Sequence, residues 1–106
     1  MLSIASVPIG ALGSSFSSDG KYLAIGVPYD SDTRYGAGKV VVYEQTANGL
    51  KQIGKDIVGE HLRENSGTSL SLSNDGKTIA IGSPSYNNGF VKVFKYREYL
   101  KNNSKK

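Results

Sequence analysis

SSFSSDGKYLAIGVP, at residues 14–28, and LSLSNDGKTIAIGSP, at residues 70–84, decide the fold of this 106-residue chain. Aligned at an offset of 56, the two stretches carry the same residue at nine of fifteen positions. The shared residues include an Asp-Gly-Lys triplet and an Ala-Ile-Gly triplet. A self-match of this quality in so short a chain indicates an internal repeat, in which each copy is one supersecondary unit.

The similarity resumes after a loop of different length. GKVVVYEQ at 38–45 corresponds to GFVKVFKY at 89–96, now at an offset of 51. The loop that follows Pro28 has nine residues and its counterpart after Pro84 has four. Surface loops tolerate such differences, so the repeat extends across the loop to a further matching segment.

Each copy has the pattern of an antiparallel sheet. Leucines and serines alternate at 69–73, which places them on opposite faces of a strand. Asp-Gly then supplies a tight turn, and Pro28 and Pro84 end the second strands because proline cannot donate to a ladder. Third strands are predicted at 40–44 and 91–96, and a fourth at 49–53 in the first copy only. No amphipathic helical stripe is present, so the fold is predicted to be all-β.

The repeat resembles the FG-GAP-type repeat of integrin-α-like β-propellers. The similarity covers roughly residues 11–96 and includes the join Gln52-Ile53-Gly54-Lys55-Asp56-Ile57 followed by Ser66-Gly67-Thr68-Ser69. It implies two four-stranded antiparallel propeller-type blades, forming a partial or oligomer-completed β-propeller. The implied division is an N-terminal strand or arm (1–12), blade repeat 1 (13–57), an incomplete blade repeat 2 (58–96) and a basic polar tail (97–106).

Two blades leave apolar faces uncovered, because closed propellers have about four to eight blades. Three resolutions are open: assembly of the chain with itself, membership of a longer propeller, or two sheets that face each other as a small sandwich. Leu2, Ile4, Val7 and Ile9 form either a strand that completes the second blade, in this chain or in a neighbouring subunit, or a loose arm.

The loops after the second strands hold the candidate binding residues. An edge that binds a protein or a glycan is predicted at Tyr29, Asp30, Arg34, Tyr35 and Tyr86, because rigid amphipathic side chains on loops suit contact surfaces. The resemblance also suggests a Ca²⁺ loop, for which Asp30 and Asp32 are the candidate ligands. No third acid follows them, and Ca²⁺ prefers several oxygen ligands; no other cofactor is predicted.

Composition excludes several classes of function. There is no cysteine and the single histidine is His61, so thiolate metal sites and a conventional zinc site are excluded. The net charge of +4 arises at the C-terminal end, where residues 92–106 hold six basic residues and one acid. Nucleic acid is therefore an expected partner only through that tail. No membrane span and no signal peptide is seen, although the resemblance suggests an extracellular or surface location.

These observations predict a non-catalytic protein-interaction or structural module that completes its core by self-association or within a larger complex. The alternative is a Ca²⁺-dependent adhesion or ligand-binding fragment of a larger propeller.

Overall fold

A computed structural model describes residues 8–95, which form two antiparallel sheets and contain no helix. The predicted all-β fold is confirmed. The first sheet is built of β1 (Gly13–Phe16), β2 (Tyr22–Val27), β3 (Lys39–Thr46), β4 (Gly49–Gln52) and β5 (Ile57–Val58). The second sheet is built of β6 (Ser69–Leu72), β7 (Thr78–Ser83) and β8 (Phe90–Lys95). Residues 1–7 of the predicted N-terminal strand or arm (1–12), with Leu2, Ile4 and Val7, and the predicted basic tail at 97–106 lie outside the described residues.

The two copies fold in the same register. Gly13 faces Gly26 across the first hairpin, and Ser69 faces Gly82 across the second. The Asp-Gly turns are also alike: Asp75 Oδ1 accepts hydrogen bonds from Ser73 Oγ at 2.7 Å and from the Lys77 N–H at 2.9 Å. Asp19 accepts the same two bonds at the same lengths. These bonds lower the pKa of both carboxyl groups, and they fix the turn that the sequence predicts.

The first sheet has one strand more than the prediction. β4 corresponds to the predicted fourth strand at 49–53; the chain then leaves the ladder at Gly54 (φ 72°) and rejoins β3 at Ile57, which forms the additional β5. β4 and β5 therefore lie along the same edge of β3. The second sheet has three strands within residues 8–95, where β8 pairs only with β7, and the sequence predicts a fourth strand in the first copy only.

The two sheets pack against each other through one face of each. The core they share contains four side chains of the first sheet, one of them on β5, and three of the second sheet, namely Ala24, Val40, Val42, Ile57, Leu72, Ile79 and Ile81. Hydrogen bonds also cross this interface between the two sheets, which we call the joint. The Leu72 N–H donates to Ser15 Oγ at 3.0 Å, and the Ser18 N–H donates to the Asn74 carbonyl oxygen at 3.1 Å. Of the three predicted resolutions, the facing sheets are therefore present, but only one face of each sheet is used.

Gly26 sets the distance between the sheets. A Cβ atom at this position would overlap the carbonyl oxygen of Gly67 and come within 3.0 Å of Leu70 Cδ2. Residues 59–68 connect the two sheets, and we call them the connecting segment. Its backbone thus rests directly on β2, at a position where no side chain fits.

We expect Gly26→Ala to lower the free energy of unfolding by about 2 kcal/mol, because the added methyl group must push the connecting segment off the sheet. Gly13→Ala is the matched control, since Gly13 pairs with Gly26 and its Cβ would lie 3.8 Å from the nearest oxygen atoms. Urea denaturation of both variants measures the difference. Equal stability of the two variants would contradict the assigned role of Gly26.

Candidate functional site

Equivalent faces of the two sheets differ sharply in exposure. Val40 and Val42 on β3 are 0% and 1% exposed, whereas the matching Val91 and Val93 on β8 are 66% and 59% exposed. We call the side of the second sheet that carries these valines the valine face; by register its residues are Ser69, Ser71, Thr78, Ala80, Gly82, Val91, Val93 and Lys95. The first sheet covers its own valines with the second sheet, and nothing in the described part of the chain covers those of the second.

On the opposite face of the first sheet, a side chain is exposed whose counterpart in the second sheet is buried. Phe16 is 60% exposed, whereas its counterpart Leu72 is 8% exposed and lies in the shared core. We call this surface the phenylalanine face; it consists of Phe16, Leu23, Ile25 and Tyr43, flanked by the exposed Leu12. A shallow groove of about 280 Å³ crosses it between Leu12 and Phe16.

A cleft of about 380 Å³ opens at one end of the valine face, between Gly82 and Gly89. The matching glycines of the first sheet are Gly26 and Gly38, and both are covered by backbone: Gly67 lies on Gly26, and Ser66 on Gly38. The second sheet has the same two glycines, but in residues 8–95 no connecting segment covers them, and the Ser69 side chain lies against Gly82 instead.

The loop edge forms a separate cleft of about 370 Å³. Tyr29 and Tyr35, both exposed, line it together with Arg63, whose guanidinium lies 5.5 Å from the centre of the Tyr35 ring. Arg63 has a positive φ of 57°, which its N–H bond to the Tyr35 carbonyl oxygen (2.8 Å) helps to hold. No carboxylate among the described residues forms an ion pair with Arg63.

The structure brings together only part of the predicted binding edge. Tyr86 lies elsewhere, stacked on His61 with ring centres 3.9 Å apart. Arg34 does not line the tyrosine cleft, whereas Arg63, Asn65 and Ser85, which sequence reasoning missed, do. The signal available for these three was only their place in the joining segment or next to Pro84.

The predicted Ca²⁺ ligands do not fit that ion without a rearrangement. The Lys39 ammonium lies 3.5 Å from Asp30 Oδ1, 3.6 Å from Asp32 Oδ2 and 3.4 Å from Asp56 Oδ2, so a cation already stands among these carboxylates. Burial opposes the charge of Lys39, but Asp56 and Asp30 outweigh burial and raise the pKa of the ammonium. The described residues hold no cluster of three or more acids and histidines suited to a metal. Calcium binding stays a prediction that requires displacement of Lys39.

Glu64 is a fully buried carboxylate that joins the connecting segment to the second sheet. Its Oε1 accepts hydrogen bonds from the Glu60 N–H (2.8 Å) and stands 3.0 Å from His61 Nδ1. Its Oε2 accepts from Ser83 Oγ at 2.9 Å and is paired with Lys92 at 2.9 Å. Lys92 belongs to the basic C-terminal end of the sequence, but this ion pair holds it against the connecting segment.

The Glu64 cluster contains a serine and a histidine but lacks the geometry of a catalytic triad. Ser83 is buried and donates to Glu64, and His61 also meets Glu64, so the acid stands between the two. A nucleophilic serine needs a direct hydrogen bond to its histidine base. That the protein is not an enzyme nevertheless stays a prediction.

Comparisons of the chain with protein-family models, with curated proteins and with solved structures found no match. No helix in the described range has the length and hydropathy needed to cross a bilayer.

We expect Glu64→Gln to reduce stability in a pH-dependent way. Burial raises the pKa of Glu64, but hydrogen bonds from Lys92, Glu60, His61 and Ser83 outweigh it and hold the pKa at about 2 instead of 4.5. A depressed pKa stabilises the fold above the unfolded value, and the contribution, about 3 kcal/mol, is lost as pH falls from about 5 towards 2.

The stability difference between wild type and Glu64→Gln should therefore shrink over that pH range in urea denaturation. Acid effects of other carboxyl groups cancel in the difference. Glu44→Gln is the control, because Glu44 is only half-buried, its pair with Lys21 spans 3.6 Å, and such pairs contribute less than about 1 kcal/mol. A difference that is constant with pH would refute the assigned role of the Glu64 charge.

Proposed function

We propose that the chain is a non-catalytic assembly module, built of two propeller-type blade repeats, that joins a protein partner through the valine face. One observation carries the proposal: Val91 and Val93 are exposed at positions whose counterparts in the first sheet are buried. A repeat unit buries its apolar face by stacking on a neighbour, and within residues 8–95 the second sheet has no such neighbour on one side.

Three features of the valine face suit binding to another sheet. Its valines are β-branched and rigid, so little side-chain entropy is lost when they are covered. Ala80 and Gly82 leave space for close approach of a partner. Lys92 points to the other side of β8 and is held by Glu64, so the charge closest to the valines on this side is that of Lys95, at the end of the strand.

The resemblance to propeller repeats supports the same function. Blades of this type stack side by side, and a ring needs at least about four of them. A two-blade chain meets that requirement only together with other blades, supplied by a partner or by further copies.

We expect Val93→Glu to abolish association while leaving the fold intact, because Val93 is exposed in the isolated chain and a buried unpaired carboxylate would be costly in the complex. Light scattering coupled to size exclusion at two protein concentrations measures the mass against the 11.3 kDa of one chain. The control is Lys51→Glu on β4, an exposed change of charge on another strand. A variant mass equal to that of an associated wild type would contradict the proposal.

A second candidate function is ligand binding in the tyrosine cleft. Two exposed aromatic rings stand beside a guanidinium that has no carboxylate partner in the described range. Aromatic faces stack on rings, and a guanidinium binds carboxylates through a planar fork of donors. The cleft therefore suits an acidic sugar better than a neutral one.

We expect glucuronate to bind this cleft at least about tenfold more tightly than glucose, since one good charged contact contributes about 1.4 kcal/mol or more. Arg63→Asn should remove the preference; asparagine is chosen because it tolerates a φ of 57°. Arg34→Ala, a neighbouring arginine outside the cleft, should retain it. Calorimetric titration of the three proteins measures the preference, and equal affinities for both sugars would refute ligand binding of this kind.

A further inference from the structure

We propose that the partner of the valine face is a second copy of this chain, bound head to tail, with the valine face of one copy on the phenylalanine face of the next. This inference rests on the proposed function and names its partner. The contact between the two sheets of a single chain supplies the geometry.

The internal joint already has this arrangement. The first sheet contributes Ala24, Val40 and Val42, whose counterparts in the second sheet are Ala80, Val91 and Val93 of the valine face. The second sheet contributes Leu72 and Ile79, and their counterparts in the first sheet, Phe16 and Leu23, belong to the phenylalanine face. Within residues 8–95 one chain thus buries one of each pair of equivalent faces, and on the other two faces Val91, Val93 and Phe16 are exposed, whereas Leu23 is already buried.

The turn before β1 has the same form as the segment that covers the first sheet, displaced by one residue from the repeat offset of 56. Gly10 has a φ of 90° and Gly67 a φ of 94°, and each glycine is followed by an N–H that donates to the carbonyl oxygen three residues earlier. Those bonds, from Ala11 to Pro8 and from Thr68 to Asn65, are 3.3 and 3.2 Å long.

This match assigns an occupant to the open cleft on the valine face. Gly67 rests on Gly26 inside the chain, so Gly10 of a second copy would rest on Gly82 after the Ser69 side chain, which lies against Gly82, turns away. The neighbouring Ile9, 98% exposed in the single chain, would then be covered. The cleft of about 380 Å³ has room for a turn of this kind.

One hydrogen bond of the joint also has an equivalent pair of groups on the two outer faces of the chain. Ser15 Oγ accepts a hydrogen bond from the Leu72 N–H within the chain. The equivalent pair between copies is Ser71 Oγ on one chain and the Phe16 N–H on the next, and Ser71 is exposed. The proposed contact therefore repeats both the apolar and the polar contacts of the joint.

Because the two faces differ, the contact is heterologous. Each copy binds one neighbour through its valine face and another neighbour through its phenylalanine face. Such contacts form a ring when the rotation per copy closes and a filament when it does not. Three copies would make a ring of six blades.

Two variants that each lose one end provide the test. Val93→Glu disables the valine face and leaves the phenylalanine face intact. Phe16→Glu does the reverse, and Phe16 is exposed enough for the chain to fold with this change. Each variant alone is expected to be a monomer by light scattering, and circular dichroism and urea denaturation of each check that it folds as wild type does.

An equimolar mixture of the two variants is expected to form a 1:1 dimer of twice 11.3 kDa, because the two intact faces meet and both outer ends are disabled. If Phe16→Glu keeps the mass of an associated wild type while Val93→Glu is a monomer, the head-to-tail contact is refuted and the proposed function stands. If both variants keep that mass, the proposed function fails as well. A folded pair that does not combine, or a wild type that is a monomer at every concentration, also overturns the inference.

Discussion

The rest of the structure depends on the close approach between the backbone of Gly67 and the β2 strand at Gly26. A side chain at Gly26 would separate the sheets at this point, and the apolar residues beneath it would then lose contact with their neighbours across the joint. The same contact makes the two repeats act as one unit, because Gly67 also donates its N–H to the Gly82 carbonyl oxygen of the second sheet, at 3.2 Å. The connecting segment is therefore part of both sheets at once.

Glu64 fixes that segment from the other side. A buried carboxylate is costly unless its oxygen atoms are fully bonded, and here backbone, serine, histidine and lysine donors all reach it. In the first sheet the positions of Ser83 and Lys92 are taken by Val27 and Val41, which are buried apolar residues. The two repeats thus have the same backbone arrangement but different side chains at these positions. The second sheet binds the Glu64 carboxylate there, and the first sheet packs apolar side chains.

The sequence made the repeat, the hairpins and the strand ends predictable because these depend on local signals. Alternation decides which side chains share a face, Asp-Gly decides the turn, and proline ends the strand. The additional strand β5 was not predictable, because it depends on the packing of Ile57 in the core that the two sheets share. The site was predicted less well than the fold. Tyr29 and Tyr35 belong to one loop, but Arg63 is distant from them in sequence and contacts Tyr35 only in the folded chain. Tyr86 lies away from both tyrosines because its ring stacks on His61.

The energetics of the exposed faces indicate that two valines alone give a marginal contact with a partner. Covering Val91 and Val93 contributes about 1.5–3 kcal/mol each, whereas association costs at least about 4 kcal/mol in lost freedom of motion. Three more exposed apolar side chains, Ile9, Leu12 and Phe16, lie at the opposite end of the molecule. A contact that covers all five contributes roughly 7–15 kcal/mol before the cost of association is subtracted. A head-to-tail contact covers both sets at once, whereas a contact between two valine faces leaves the second set in water.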